Sequence, residues 1–312
     1  MPEYTSVDEL FQKFTDKHWN AMSQAEHLET LQQMENLIAR EQNRPPFQVR
    51  IFSEETMKKH PGMTGYFDGR TINLTPLYFR RALRAIPGVN SGMGMAALNT
   101  LLHEGRHGWQ RFIAAGGGVR VDPKLRSLLR MNFLSYCSPD DNRFIYACQP
   151  LELDARRFAK ERFAAMAKRA IDAGCDDACI RRQLQNNITV EINAAAIVAN
   201  QLSIAELRDY EDKARQLFLK EFPDENLDGV SMFDEVIQMI RSRQDYINYV
   251  DGKPLDFQEQ PLDRVAEAGF APEGVEAPAD PMLQGLLARL KPGRVGDGGN
   301  DGRIDTGRLG LR

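Results

Sequence analysis

Leu101-Leu102-His103-Glu104-Gly105-Arg106-His107 sets the pattern H-E-x-x-H inside a run of helical periodicity, and the reading of the whole chain turns on it. Four residues advance an α-helix by about one turn, so both imidazoles leave on one side and can share a Zn2+ ion. Glu104 lies a short rotation away, where it can take a proton from metal-acidified water and pass it to a leaving amine. The alternative is two histidines packed in a core. The wheel argues against it: Met95, Leu98, Leu102, Trp109 and Ile113 gather about 120–140° from the histidines. Asn99, Thr100, Glu104 and Arg111 share the histidine side, which suits a polar cleft above a buried helix. The helix is expected from Met95 to about Ala115, after a Gly/Pro loop at Pro87 to Gly94 and before the stop Gly116-Gly117-Gly118.

Zinc in a catalytic site takes three protein ligands and keeps one position open. The other histidines, His18, His27 and His60, all precede the motif and read as surface residues, and the longer three-histidine pattern is absent, with Gln110 where it needs glycine. A downstream carboxylate is therefore expected. Gln149-Pro150-Leu151-Glu152-Leu153-Asp154-Ala155 opens a helix that runs to about Ala173 and buries Leu151, Ala155, Phe158, Ala159 and Met166. Glu152 and Asp154 leave it roughly 200° apart, so only one of them can face the metal. Glu152 flanks the buried stripe and is the expected ligand. Asp154 is the fallback, or a support for a neighbouring group. The bland reading of Glu152 is a solvated acid favoured by the helix dipole.

These residues resemble the zincin metallopeptidases of the gluzincin type and, more loosely, the ImmA/IrrE-type enzymes, in which H-E-x-x-H precedes an E-x-E-A-N-x-F-A segment. The resemblance covers about residues 47–165 and is specific at His103, Glu104, His107 and Glu152. It implies a zincin-like catalytic domain with a small mixed sheet, in which the strand Arg70 to Leu74 is the edge that pairs with an extended substrate. It also implies an electrophilic side chain, for which Tyr136 and Tyr146 are placed by position, while Arg106 points away. Many gluzincins carry Asp or Asn four residues beyond the third ligand to support a metal-binding histidine. Here that residue is Arg156.

Outward from the motif, residues 6–42 read as helical, with a capping box at Ser23 to Glu26. Phe47 to Phe52 alternates as a half-buried strand does, and Asp68-Gly69 joins two short runs as a hairpin. Residues 122–136 form another helix, Ser138 to Arg143 a polar loop, and Cys179 to about Tyr249 is almost wholly helical. The expected class is α+β: N-terminal helices (1–46), a zincin-like core (47–175), a helical region (176–253) and a Pro/Gly-rich disordered tail (254–312).

A second metal-like pattern lies in the helical region. Asp224, Asn226, Asp228, the Val230 carbonyl and Glu235 are spaced as the Ca2+ ligands of an EF-hand, with Gly229 at the sharp turn. The competing reading is a polar helix–helix connection with Asp224 or Asn226 as a cap. Asp297 to Asp305 resembles only the front half of such a loop.

A net charge of −4 with scattered basic residues argues against a nucleic-acid partner. The most apolar stretch, Ile188 to Leu207, is broken by Glu191, Asn193 and Asn200, too polar for a membrane span. With no basic and apolar leader, the chain reads as cytoplasmic as made, or exported without an N-terminal signal, with its four cysteines reduced. The function expected is a zinc metallopeptidase acting on a protein or peptide. The alternatives are a non-catalytic zinc-stabilised scaffold, or a secreted bacterial effector carrying this domain.

Overall fold

A computed structural model describes residues 6–79, 92–117, 121–175 and 177–250, without the side chains of 190–200 and 245–250. The N-terminal part holds α1 (Val7–Phe11), a 3-10 turn (Gln12–Phe14), α2 (Asp16–Trp19) and α3 (Gln24–Glu41). The capping box starts α3: Ser23 Oγ accepts from the Glu26 N–H, and Glu26 Oε2 accepts from the Ser23 N–H at 2.6 Å. Next come β1 (Gln48–Ile51), a short α4 (Glu54–Lys59), β2 (Gly65–Phe67) and β3 (Thr71–Leu74). The Ser53 side chain caps α4, a helix too short to show in the periodicity.

The sheet order is β1-β3-β2, with β1 parallel and β2 antiparallel to β3. The sheet is small and mixed, in a chain that is otherwise mostly helical, so the class is α+β. The Asp68-Gly69 hairpin is present, with Gly69 at φ +94° and Asp68 Oδ1 accepting from the Thr71 N–H at 2.7 Å. One expectation is corrected. The strand Arg70 to Leu74 is not the edge, because β3 bonds on both sides and is wholly buried. The third pair is long-range, which local alternation cannot reveal. The edge strands are β1 and β2.

The long helix α5 (Met93–Ala114) crosses below the sheet, starting two residues earlier than expected. Its apolar side meets the N-terminal helices and the sheet in one core that includes Phe14, Trp19, Leu31, Ile72, Met95 and Leu98. Close approach needs glycine here. A Cβ on Gly108 would sit 2.1 Å from the Phe47 ring, and one on Gly65 would sit 2.5 Å from Thr100. His27 also belongs to this core rather than the surface: it is fully buried, stacked on Trp19 at 4.0 Å, with Nε2 bonded to the Trp19 carbonyl.

After α5 follow α6 (Pro123–Leu134), α7 (Pro139–Cys148), α8 (Pro150–Asp172), α9 (Ala178–Gln201), α10 (Ile204–Glu221) and α11 (Asp234–Val250). The expected polar loop at Ser138 to Arg143 is mostly helix. Ser138 and Asp141 form a capping box, and α7 breaks only at Asn142. A second core, with Met131, Leu207, Phe218 and Phe233, joins the C-terminal helices. Among the described residues, no helix is long and apolar enough to cross a membrane. The expected tail (254–312), most of the Pro87 to Gly94 loop and the half calcium loop at Asp297 lie outside the described residues.

Candidate metal centre

Helices α5 and α8 pack along each other and bring the expected ligands together. His103 Nε2 and His107 Nε2 lie 3.1 Å apart, with their rings at 89°. Glu152 presents one oxygen to each, at 3.5 Å from His103 and 3.5 Å from His107. Ligand atoms held tetrahedrally about 2.0–2.1 Å from a zinc ion stand roughly 3.3 Å from one another. The triangle of two imidazole nitrogens and a carboxylate therefore fits such an ion in size and donor chemistry. The imidazoles are partly open, 20% and 16% exposed, whereas the Glu152 side chain is 3% exposed. The histidines are thus the more exposed members of the group and Glu152 the buried one.

Glu104 is buried beside the triangle, and the backbone N–H of Phe67 donates to its carboxylate. This bond ties the end of β2 to the motif. Burial, with the negative Glu152 nearby, pushes Glu104 up to about 7 against the opposing pull of His107 and Phe67. Burial acts on Glu152 too, but His107, His103 and the charge of Arg156 outweigh it and hold its carboxyl at about 2. Two neighbouring acids are thus driven in opposite directions, as a base and a ligand require.

Tyr136 and Tyr146 both hydrogen-bond Glu152, the first at 3.1 Å. Burial and the neighbouring carboxylates push both phenols above their ordinary range, so they remain proton donors at neutral pH.

Asp154 faces away from the ligands. It receives Arg106 at 2.7 and 2.9 Å, and the Gln110 amide at 2.6 Å. Gln110 is fully buried. It also reaches the Leu151 carbonyl at 2.9 Å and the Nδ1 of His107 at 2.9 Å. Sequence reasoning gave Gln110 no role. Its signal was present in its spacing, three residues beyond His107 on the face turned to α8.

No family model matches the chain, and no curated protein or solved structure is significantly similar to it. The site therefore rests on its own geometry.

The calcium-like residues are not gathered. Among the described residues Asp224, Asp228 and Glu235 form no cluster of ligand atoms. Asn226 Oδ1 accepts from the Asp228 N–H at 2.7 Å, Glu235 pairs with Arg157, and Arg215 donates to the Val230 carbonyl. Another group, Asp16, Asp177 and Cys179, does bring three ligand atoms within 4.8 Å. Its carboxylates accept from the backbone N–H groups of Gly92 and Cys179, and burial lifts the Cys179 thiol to about 12. Without an ion, its carboxylates serve to cap the backbone at Gly92 and Cys179. All four cysteines are free.

Proposed function

We propose that the α5–α8 cleft is a zinc centre and that the protein hydrolyses peptide bonds there. One observation carries the reading: His103, His107 and Glu152 point three ligand atoms at one another, with the buried carboxyl of Glu104 alongside. Zinc on this triangle would acidify a water and polarise a carbonyl. Glu104 has the position and the raised affinity for a proton that a general base needs, and it can return the proton to the departing amine. A purely structural zinc site has no use for such a group. Tyr136 and Tyr146 are protonated donors next to Glu152 and suit the carbonyl oxygen as negative charge builds on it.

The sheet supports a peptide as substrate. β2 is the edge strand on the α5 side, held to the motif through Gly65 and Phe67. An extended chain adding to that edge would run past Glu104, by strand addition.

The test is metal content and activity together. Purified wild type is expected to carry about one zinc per chain, lost in both His107→Ala and Glu152→Ala, and to cleave a mixed peptide library. A wild type that takes up no zinc, even when zinc is supplied, would end this reading. Zinc retained in Glu152→Ala would move the third ligand elsewhere.

A further inference from the structure

We propose that Gln110 fixes His107 in the tautomer a metal requires, and that Asp154 and Arg106 act through it; the inference rests on the metal-centre reading of this site. A carboxamide has an accepting oxygen and a donating nitrogen, and its neighbours decide which way it points. On one side Gln110 meets the Leu151 carbonyl at 2.9 Å, which can only accept. Beside it lies Asp154 Oδ2 at 2.6 Å. Both oxygens of Asp154 already accept from the bidentate guanidinium of Arg106, at 2.7 and 2.9 Å. Asp154 is therefore an acceptor too. Both acceptors call for the amide nitrogen, so Oε1 faces His107 Nδ1, 2.9 Å away.

An amide oxygen cannot donate. The proton of neutral His107 must sit on Nδ1, which leaves Nε2 with a free lone pair directed at His103 Nε2 and Glu152. The chain of contacts closes on itself. It leaves the H-E-x-x-H helix at Arg106, crosses to α8 at Asp154, and returns through Gln110 to His107. Arg106 is held over the Trp109 ring at 3.6 Å and near Phe158 at 4.9 Å, so the far end of the chain is fixed by packing as well. Gln110 touches no reacting atom. It is a positioning residue, and its effect is on which imidazole nitrogen is available.

The experiment reads tautomers in the metal-free protein. Long-range 1H–15N correlation spectra are recorded on histidine-labelled wild type at about pH 8.5, where ordinary imidazole is neutral. His107 is assigned by its absence in His107→Asn. The expected result is a proton on Nδ1 of His107. In Gln110→Met, which keeps the length and removes the acceptor, that preference is expected to disappear, and zinc affinity measured against a competing chelator to fall about 10- to 100-fold.

Asp154→Asn keeps an accepting oxygen for Gln110 and leaves the Leu151 carbonyl in place. It is expected to hold the Nδ1 tautomer that Gln110→Met loses, which a purely space-filling role for Gln110 does not predict. A proton on Nε2 in wild type, or an unchanged tautomer and affinity in Gln110→Met, would overturn the proposal. Failure of wild type to bind zinc at all would sink the peptidase reading instead; the metal-free spectra still decide the tautomer.

Discussion

The α5–α8 cleft and the connection between α10 and α11 both carry metal-ligand spacing in their sequence, and the fold treats the two differently. In the cleft, two ligands lie four residues apart on a rigid helix, so their spacing passes directly into space. The third comes from a helix packed alongside, and the three ligand groups face one another directly. In the connection, protein groups occupy the would-be ligands. Arg215 takes the Val230 carbonyl, Arg157 takes Glu235, and Ser127 and Arg130 take the intervening Glu225 at 2.8 and 2.6 Å. Spacing along a loop specifies a site only if no neighbouring side chain competes for the same oxygens. Here a buried carboxylate, Glu211, organises the connection from below, with Ser231, the Met232 N–H and Arg215 all donating to it.

The comparison breaks most sharply on activity. Replacing Glu104 with Gln is expected to lower peptide hydrolysis by about 10²- to 10⁴-fold with zinc content unchanged, because the ligands stay and the base goes. The same change at Glu235 is expected to leave turnover at the wild-type level. Equal losses from the two substitutions would show that the cleft has no special chemistry.

Stability against pH gives the next effect in size. Burial raises Glu104 to about 7 in the folded protein, from an ordinary value of 4.5. The folded state thus holds this proton more tightly than the unfolded chain does. Its contribution is complete below about pH 4.5 and is lost as the pH rises to about 7. The lost amount is up to about 3 kcal/mol for the metal-free protein. Glu104→Gln should match wild type near pH 4.5 and exceed it by up to that amount at about pH 8, in urea titrations with chelator present. Glu152 has the opposite sign. Held at about 2 by His107 and its neighbours despite burial, it stabilises above pH 4.5 and loses that contribution as the pH falls to about 2. Parallel pH profiles for Glu104→Gln and wild type would remove the argument that burial governs Glu104.

The connection responds through its protein partners rather than through an ion. Glu211 is 2% exposed and satisfies Arg208, Arg215, Ser231 and the Met232 N–H. Glu211→Ala is expected to cost about 2 kcal/mol by thermal unfolding, a figure reduced because both arginines are partly in water. A negligible loss would mean that the connection is held by its apolar residues alone.

Much of this was legible in the sequence where a local rule had no competitor. The four-residue spacing of His103 and His107, the capping box at Ser23, the Asp68-Gly69 turn and the choice of Glu152 over Asp154 all follow from geometry within one element. What was not legible depends on partners distant in sequence. The place of β3 in the middle of the sheet needs β1, some twenty residues earlier. The burial of His27 needs Trp19 stacked on it. The bridge that Gln110 makes from His107 to Asp154 needs α8 laid against α5. The pairing of Arg215 and Arg157 with the Asp224–Glu235 segment is likewise announced by nothing local.

The smallest expected effect is also the clearest separation of the two regions. Glu235 is the residue that would close a calcium loop, yet its side chain is 68% exposed and paired with Arg157, itself 50% exposed. Exposed pairs of this kind contribute about 0–1 kcal/mol and weaken with salt. Glu235→Ala is therefore expected to shift stability by less than about 1 kcal/mol, and the shift should shrink further in about 0.5 M salt. Millimolar Ca2+ is expected to leave the melting temperature of wild type where it was, because binding only the folded state would raise it in proportion to ln(1 + [L]/Kd). A rise in melting temperature with Ca2+ that vanishes in Glu235→Ala would show that an ion can displace Arg157 and Arg215 from the loop. The spacing of Asp224 to Glu235 would then be a second metal site that the side-chain pairs only mask.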